Sequence, residues 1–301
     1  MCEFLKVNRK GVLKIFNKTE QNIQEDLEIL REWLKQQPHL PYIDDARLEA
    51  ILLLRKFSIE RAKQTIDGYF TTRTEHPEFY ENRDPCSEEF RKSYKVVSFF
   101  PLKCQTENFQ RITITRIFNP DPKEIDGVIH AKYNFLTEEA FLQYDYCNGH
   151  QVIFDLIGVK LIHLSIFTPA LLAKSTKIHL DAYGFRIAGI HILNPPPFMD
   201  TIVVIMKTFL KDKIIKRLQI HNDLDSLHSV FSKKLLPFQY GGECGDLYQI
   251  RDEWQEFIES MRPWFLTDEK LKTDESKRPM TSNGSYLSDS VQGTFKKLNI
   301  D

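Results

Sequence analysis

Five basic residues, Lys207, Lys211, Lys213, Lys216 and Arg217, crowd together directly after an apolar stretch. A charge run of this kind is either a solvated surface or, beside a membrane-compatible helix, a contact for anionic lipid. Each cation near an anionic surface then contributes about 1 kcal/mol. The other chemistry-bearing residues are dispersed. Asp155 ends an apolar run, where a carboxylate either acts on a substrate or caps the following loop, and the cap is the reading adopted here. Cys147 has no partner at a spacing that would activate it. His163, His179, His191 and His221 are scattered, as packed or exposed histidines are, not grouped like ligands or bases. There is no nucleophile elbow, no Gly-rich phosphate loop, no HExxH pair and no metal-spaced Cys/His cluster. No catalytic residue, cofactor or metal site is therefore expected, and the chain does not read as an enzyme.

Before the basic cluster, Phe198, Ile202, Ile205, Met206 and Phe209 fall at i, i+4, i+7, i+8 and i+11, one broad apolar helix face. This is either an ordinary core helix or a mobile lid over an apolar cavity, whose outer face meets a bilayer on opening.

The elements that must position it begin with helices. Ile23, Leu27, Leu30 and Leu34 recur at helical spacing and stop at Pro38. A second helix runs from near Asp44 to about Lys56. Ser58 is placed to cap a third, with Ala62, Ile66, Tyr69 and Phe70 on one side. We expect a small helical bundle over 19–75, an N-terminal extension over 1–18, and a loop from Glu75 to Ser87.

The period then changes. Tyr94 to Phe99 and Arg111 to Ile117 read as strands, Pro122 to Cys147 as helical, and Gln151 to Ile157 as a buried central strand. Thr168-Pro169 opens a helix that runs to about Tyr183-Gly184. Arg186 to Leu193 is the next strand, ended by Asn194 and three prolines, and Lys216 to His221 forms one more. Leu247, Ile250, Trp254, Phe257, Ile258 and Met261 mark a last amphipathic helix, broken at Pro263. Strands alternating with helices predict an α/β sheet covered by helices, a domain placed at 90–262. The polar segment 267–301 is expected to be a disordered tail.

With 301 residues, 42% hydrophobic and 28% charged, the chain has the composition of a globular protein with a real core. Its 22 Phe and 11 Tyr would suit that core or a pocket for an apolar guest. A net charge of −1 excludes a general polyanion binder, so any phosphate recognition must be local. Five cysteines without paired spacing argue against a disulfide framework. No leader-like apolar run opens the sequence and no stretch is long enough to span a bilayer, so a cytoplasmic protein with transient membrane association is expected.

Together, several of these segments resemble the CRAL-TRIO lipid-binding family, in particular its retinaldehyde-binding and α-tocopherol-transfer branch. The matching pieces are Ile153-Phe154-Asp155-Leu156-Ile157-Gly158, Thr168-Pro169 and Gly189-Ile190-His191-Ile192-Leu193-Asn194. They continue with Lys207-Thr208-Phe209-Leu210, Lys213, Arg217 and Leu236-Pro237-Phe238-Gln239-Tyr240-Gly241-Gly242, and upstream with Arg55 to Lys63. The resemblance implies an α/β fold in which a mixed sheet floors an apolar cavity closed by a helical gate, here Phe198 to Phe209. The pocket would then hold Phe154, Leu156, Phe167, Leu171, Ile190, Ile192, Phe198, Ile202, Ile205, Met206 and Phe209. It further implies a carrier of one hydrophobic ligand of the tocopherol, retinoid or carotenoid type. Arg186, Lys213, Lys216 and Arg217 would meet anionic or phosphoinositide-containing membrane. Nucleic acid is not an expected partner. The alternative is a phospholipid- or phosphoinositide-sensing adaptor that transfers no cargo. Ile215 stands where the family has a further basic residue.

Overall fold

The computed structural model describes residues 4–279. The helical part opens with α1 (Arg9–Ile15), α2 (Glu20–Lys35), α3 (Asp45–Leu54) and α4 (Ile59–Glu75). Helix α2 starts at a reciprocal cap between Thr19 and Asn22 and buries Ile23, Leu27 and Leu30, the predicted stripe. In α3, Asp44 accepts from the Arg47 amide. Ser58 does sit at the N-cap of α4, but its side chain makes no capping bond. The stretch expected as a loop contains a one-turn helix, α5 (Pro77–Tyr80), with Phe79 and Tyr80 buried. The segment expected as an extension is itself packed, with Leu5, Val12 and Leu13 buried.

Helix α6 (Glu88–Val96) takes the first half of a predicted strand. Ser87 caps it, and Phe90, Ser93 and Tyr94 bury at helical spacing, so the strand β1 starts only at Val97 and runs to Gln105. Then follow β2 (Arg111–Ile117), α7 (Gly127–Tyr144), β3 (His150–Asp155), α8 (Pro169–Asp181), β4 (Ile187–Leu193) and α9 (Met199–Phe209). The chain closes with α10 (Asp212–Ile215), β5 (Leu218–His221), α11 (Leu224–His228), α12 (Leu247–Ser260) and α13 (Arg262–Asp268).

The five strands lie in sequence order. β1 and β2 are antiparallel, and every later neighbour pair is parallel, so the sheet is mixed with β3 at its centre. Because side chains alternate, the register sorts them. Phe99, Thr115, Phe154 and Ile192 form one row across the sheet, while Ile114, Ile153 and His191 form a row on the other face. Ile114 and Ile153 join a core cluster with Ile250, Trp254 and Ile258 of α12.

Helix α7 is shared by two cores. Leu136 and Ala140 belong to the sheet cluster, whereas Phe135 and Leu142 pack with Ile51, Ile66 and Phe70 of the helical part. Buried ion pairs reinforce that seam: Glu139 of α7 meets Arg73 at 2.8 Å and Arg83 at 3.0 Å.

The expected disordered tail does not begin at Thr267. Helix α13 extends to Asp268, whose carboxylate meets Arg47 at 2.6 Å and Arg73 at 2.7 Å. The chain then lies along the helical part: the Asp274 amide donates to the His39 carbonyl at 2.9 Å, and Arg278 holds Asp67 at 3.0 and 2.7 Å. These partners are distant in sequence, so composition alone misread the segment. The remainder of the expected tail, 280–301, lies outside the described residues.

Candidate ligand cavity

A cavity of about 310 Å³ lies between the sheet and helices α7, α8 and α9. Its floor is the row identified by register, Phe99, Thr115, Phe154 and Ile192, together with Val152, Ile187 and Ile190. One wall is α7, through Gly127, His130, Ala131, Asn134 and Glu138, spaced as one helix face. A second wall is α8, through Leu171, Leu172, Ser175, Thr176, His179 and Leu180. Ile202, Met206 and Phe209 of α9 close it, and Leu156, Val159, Leu164 and Phe167 border it from the segment after β3. A side chain at Gly127 would come within 2.8 Å of Leu171, so this glycine allows α7 and α8 their close approach.

Of the pocket residues expected from sequence, Phe154, Leu156, Phe167, Leu171, Ile190, Ile192, Ile202, Met206 and Phe209 are brought together around this space. Phe198 and Ile205 are not. Phe198 is the residue before the first turn of α9, and Ile205, half-buried between Ile202 and Phe209 on the same helix face, is not among the residues lining the cavity. Val204, on the outer side of α9, is 61% exposed.

Sequence reading did not single out the polar side of the cavity. His130, Asn134 and Glu138 stand at i, i+4 and i+8 on a helix that is otherwise largely apolar, which is the signal that could have found them. The Asn134 amide nitrogen contacts His130 Nε2 at 3.2 Å, and Asn134 Oδ1 has no partner. Glu138 Oε1 lies 3.2 Å from His179 Nδ1 without hydrogen-bond alignment. Burial raises the Glu138 carboxyl, opposed by His179. Burial also pushes the His130 imidazole down to about 4, leaving it neutral.

The other residues weighed for chemistry have structural settings. Asp155 accepts from the Ile157 amide (3.1 Å), Asn194 (2.7 Å) and the Tyr240 hydroxyl (2.9 Å), and pairs with Arg116 at 3.1 Å. It ties the ends of β3 and β4 to the following loop. His163 accepts from the Lys160 amide through Nδ1 and contacts the Pro120 carbonyl through Nε2. His191 and His221 pair at 3.0 Å on the opposite face of the sheet, and burial, then His221, lowers His191 to about 4. Cys147 lies 3.6 Å from His150. Burial raises its thiol and drops His150 to about 3, which disfavours a thiolate.

Lys213, Lys216 and Arg217 are exposed beyond α9. Among the described residues, none of them forms a salt bridge, nor do Lys207, Lys211 or Arg186. Arg186 is half-buried and donates to Asn148 at 2.6 Å; burial, then the charge of Arg217, lowers its pKa. Arg217 donates to the Ile187 carbonyl.

Comparison with known proteins agrees with this architecture. Residues 99–242 match the CRAL/TRIO domain, and residues 19–90 match the Pinta-like UBA domain. Two relatives named "Alpha-tocopherol transfer protein-like", from Pongo abelii and Homo sapiens, are each 32% identical over 230 residues, 74% of this chain and 66% of theirs. Clavesin-1 of Xenopus laevis is 26% identical over 243 residues, 77% of this chain and 71% of its own. The chain thus spans 66% of the length of the first relatives it matches. The crystal structure of Sfh5 shares the fold, with a TM-score of 0.52 at 14% identity, covering 88% of this chain and 100% of that one. The chain belongs to the CRAL/TRIO family.

Proposed function

We propose that this protein is a carrier that encloses one hydrophobic, lipid-like molecule and exchanges it at anionic membrane. The observation that carries this reading is the cavity: a volume of about 310 Å³ floored by Phe154, Ile190 and Ile192 and closed by Ile202, Met206 and Phe209. Covering an apolar guest there stabilises the complex by about 25 cal/mol per Å² of apolar surface removed from water. The favoured cargo is of the isoprenoid type, a tocopherol, retinoid or carotenoid. The first relatives carry α-tocopherol transfer in their names, which supports that choice.

Release requires α9 to move. Its outer Val204 is exposed, as are Leu161 and Ile162 on the segment bordering the same cavity. A bilayer offers those side chains an apolar surrounding and competes for the inner face of α9 as it opens. Lys213, Lys216 and Arg217, with Arg186 beside them, would hold the protein at anionic headgroups, phosphoinositides included.

The test is native mass spectrometry of purified protein with identification of the extracted cargo, followed by transfer between vesicles. A stoichiometric apolar molecule is expected. Lys213→Ala with Arg217→Ala should slow delivery to anionic vesicles by up to about 30-fold without emptying the cavity. Protein that is empty and refuses a panel of lipids would sink the carrier reading. Cargo that is held but never exchanges would favour the lipid-sensing adaptor.

A further inference from the structure

The carrier reading leaves open which chemical group the cargo presents to the polar side of the cavity. We infer that Asn134, Glu138 and His130 of α7 form a headgroup site for a neutral hydrogen-bonding group, such as a hydroxyl, and that the site excludes carboxylates and phosphates. The inference rests on the carrier reading.

Three observations converge on it. The first is the set of unpaired polar atoms. Asn134 Oδ1 has no hydrogen-bond partner, and Glu138, only 3% exposed, has only His179 Nδ1 near its Oε1, at 3.2 Å and without hydrogen-bond alignment. Leaving such atoms unpaired is costly, and a cavity-lining group that protein does not satisfy is free to bond a guest. Second, the donors and acceptors are matched to a hydroxyl. His130 Nε2 faces the Asn134 amide nitrogen, a donor, so the imidazole accepts there and stays neutral. Asn134 Oδ1 is then left as an acceptor facing the guest, and a hydroxyl can donate to it.

The third observation is charge. Arg116 is the one arginine or lysine among the described residues lining the cavity, and it is already paired with Asp155 at 3.1 Å. An anionic headgroup would therefore enter without a free arginine or lysine and would meet the Glu138 carboxyl. His179 does not supply one either, because it faces Glu138 at 3.2 Å. Burying an anion without a counter-charge is the most costly arrangement the site could adopt.

The experiment compares three probes with one branched skeleton: phytanol, phytanic acid and phytane. Binding to the full chain is read by displacement of Nile red. The alcohol should bind about 5–10-fold more tightly than the hydrocarbon, the value of one net hydrogen bond, and more tightly again than the acid. Asn134→Leu should abolish the preference of alcohol over hydrocarbon while phytane still binds. Glu138→Gln, isosteric and uncharged, should raise phytanic acid affinity by about 10-fold and so narrow or reverse the preference of alcohol over acid. Equal binding of all three probes to the wild type would overturn the headgroup site and leave the carrier intact. An acid that outbinds the alcohol would overturn it as well, as would a Glu138→Gln variant that treats acid and alcohol as the wild type does. Failure of all three probes to bind would instead remove the carrier reading, and this inference with it.

Discussion

Replacing Glu139 by Gln should destabilise the fold more than any surface charge change, because Glu139 is the acceptor that joins the helical part to the α/β domain. Its side chain is 0% exposed, and one oxygen accepts from Arg73 (2.8 Å), Arg83 (3.0 Å) and the Tyr183 hydroxyl (3.0 Å). Arg73 is also held by Asp268 at 2.7 Å, but Arg83 has no second carboxylate within salt-bridge distance among the described residues. The amide preserves shape and an acceptor oxygen but removes the charge that makes two buried guanidinium groups tolerable. Breaking a buried pair by neutralising one partner costs about 3–5 kcal/mol. With a urea m-value of about 3 kcal/mol/M, the unfolding midpoint should fall by roughly 1–1.7 M. The control is Glu28→Gln, which disturbs a 3.1 Å pair with Arg31 that is 62% and 34% exposed and should shift stability by no more than about 0.5 kcal/mol. Urea unfolding followed by tryptophan fluorescence reads both. A Glu139→Gln loss no larger than that of Glu28→Gln would refute the claim that this network holds the two parts together.

Two further outcomes follow from the same seam. A chain ending at Lys270 should be less stable than one ending at Pro279 by about 1–3 kcal/mol in thermal or urea unfolding, since it loses the Arg278–Asp67 pair, the Thr273–Thr74 contact and the packing of Leu271. Equal stability of the two chains would mean that residues 271–279 only rest on the surface. Acid should weaken the fold through Asp268: burial works to raise its pKa, but Arg73 and Arg47 outweigh burial and hold it below the usual carboxylate range. A depressed folded-state pKa contributes stability that is complete above the unfolded value, about 4, and drains away as pH falls through the folded one. Urea midpoints between pH 5 and 2 should therefore fall more steeply for the wild type than for Asp268→Asn, and parallel slopes would rule Asp268 out as a source of acid sensitivity.

Local patterning made most elements legible, and the places where it failed share a cause. The stripe of α2, the cap and proline of α8 and the apolar run of β3 each depend on residues within one or two turns of one another. The predicted strand at Tyr94–Phe99 failed at its first half because Tyr94 and Val96 suit a strand by type but bury as the last turn of a helix capped at Ser87. The apolar side of the cavity was similarly readable from Ile202, Met206 and Phe209. Its polar side was not, because α7 is buried against two cores and the cavity together, so no single stripe distinguishes a wall residue from a core residue.

The C-terminal segment failed for a related reason. Polar composition predicts disorder only when the polar groups find water, and here Asp268 and Arg278 find Arg47, Arg73 and Asp67 instead. Glu138 and Glu139 make the same point at closer range. They are adjacent in sequence and both buried, yet one lines the cavity with only His179 near it and the other meets two guanidinium groups. What a buried carboxylate can do is set by the partners that topology delivers to it: Glu139 has two arginines and a tyrosine and reads as architecture, whereas Glu138 has only His179 at 3.2 Å and is left to meet whatever enters the cavity.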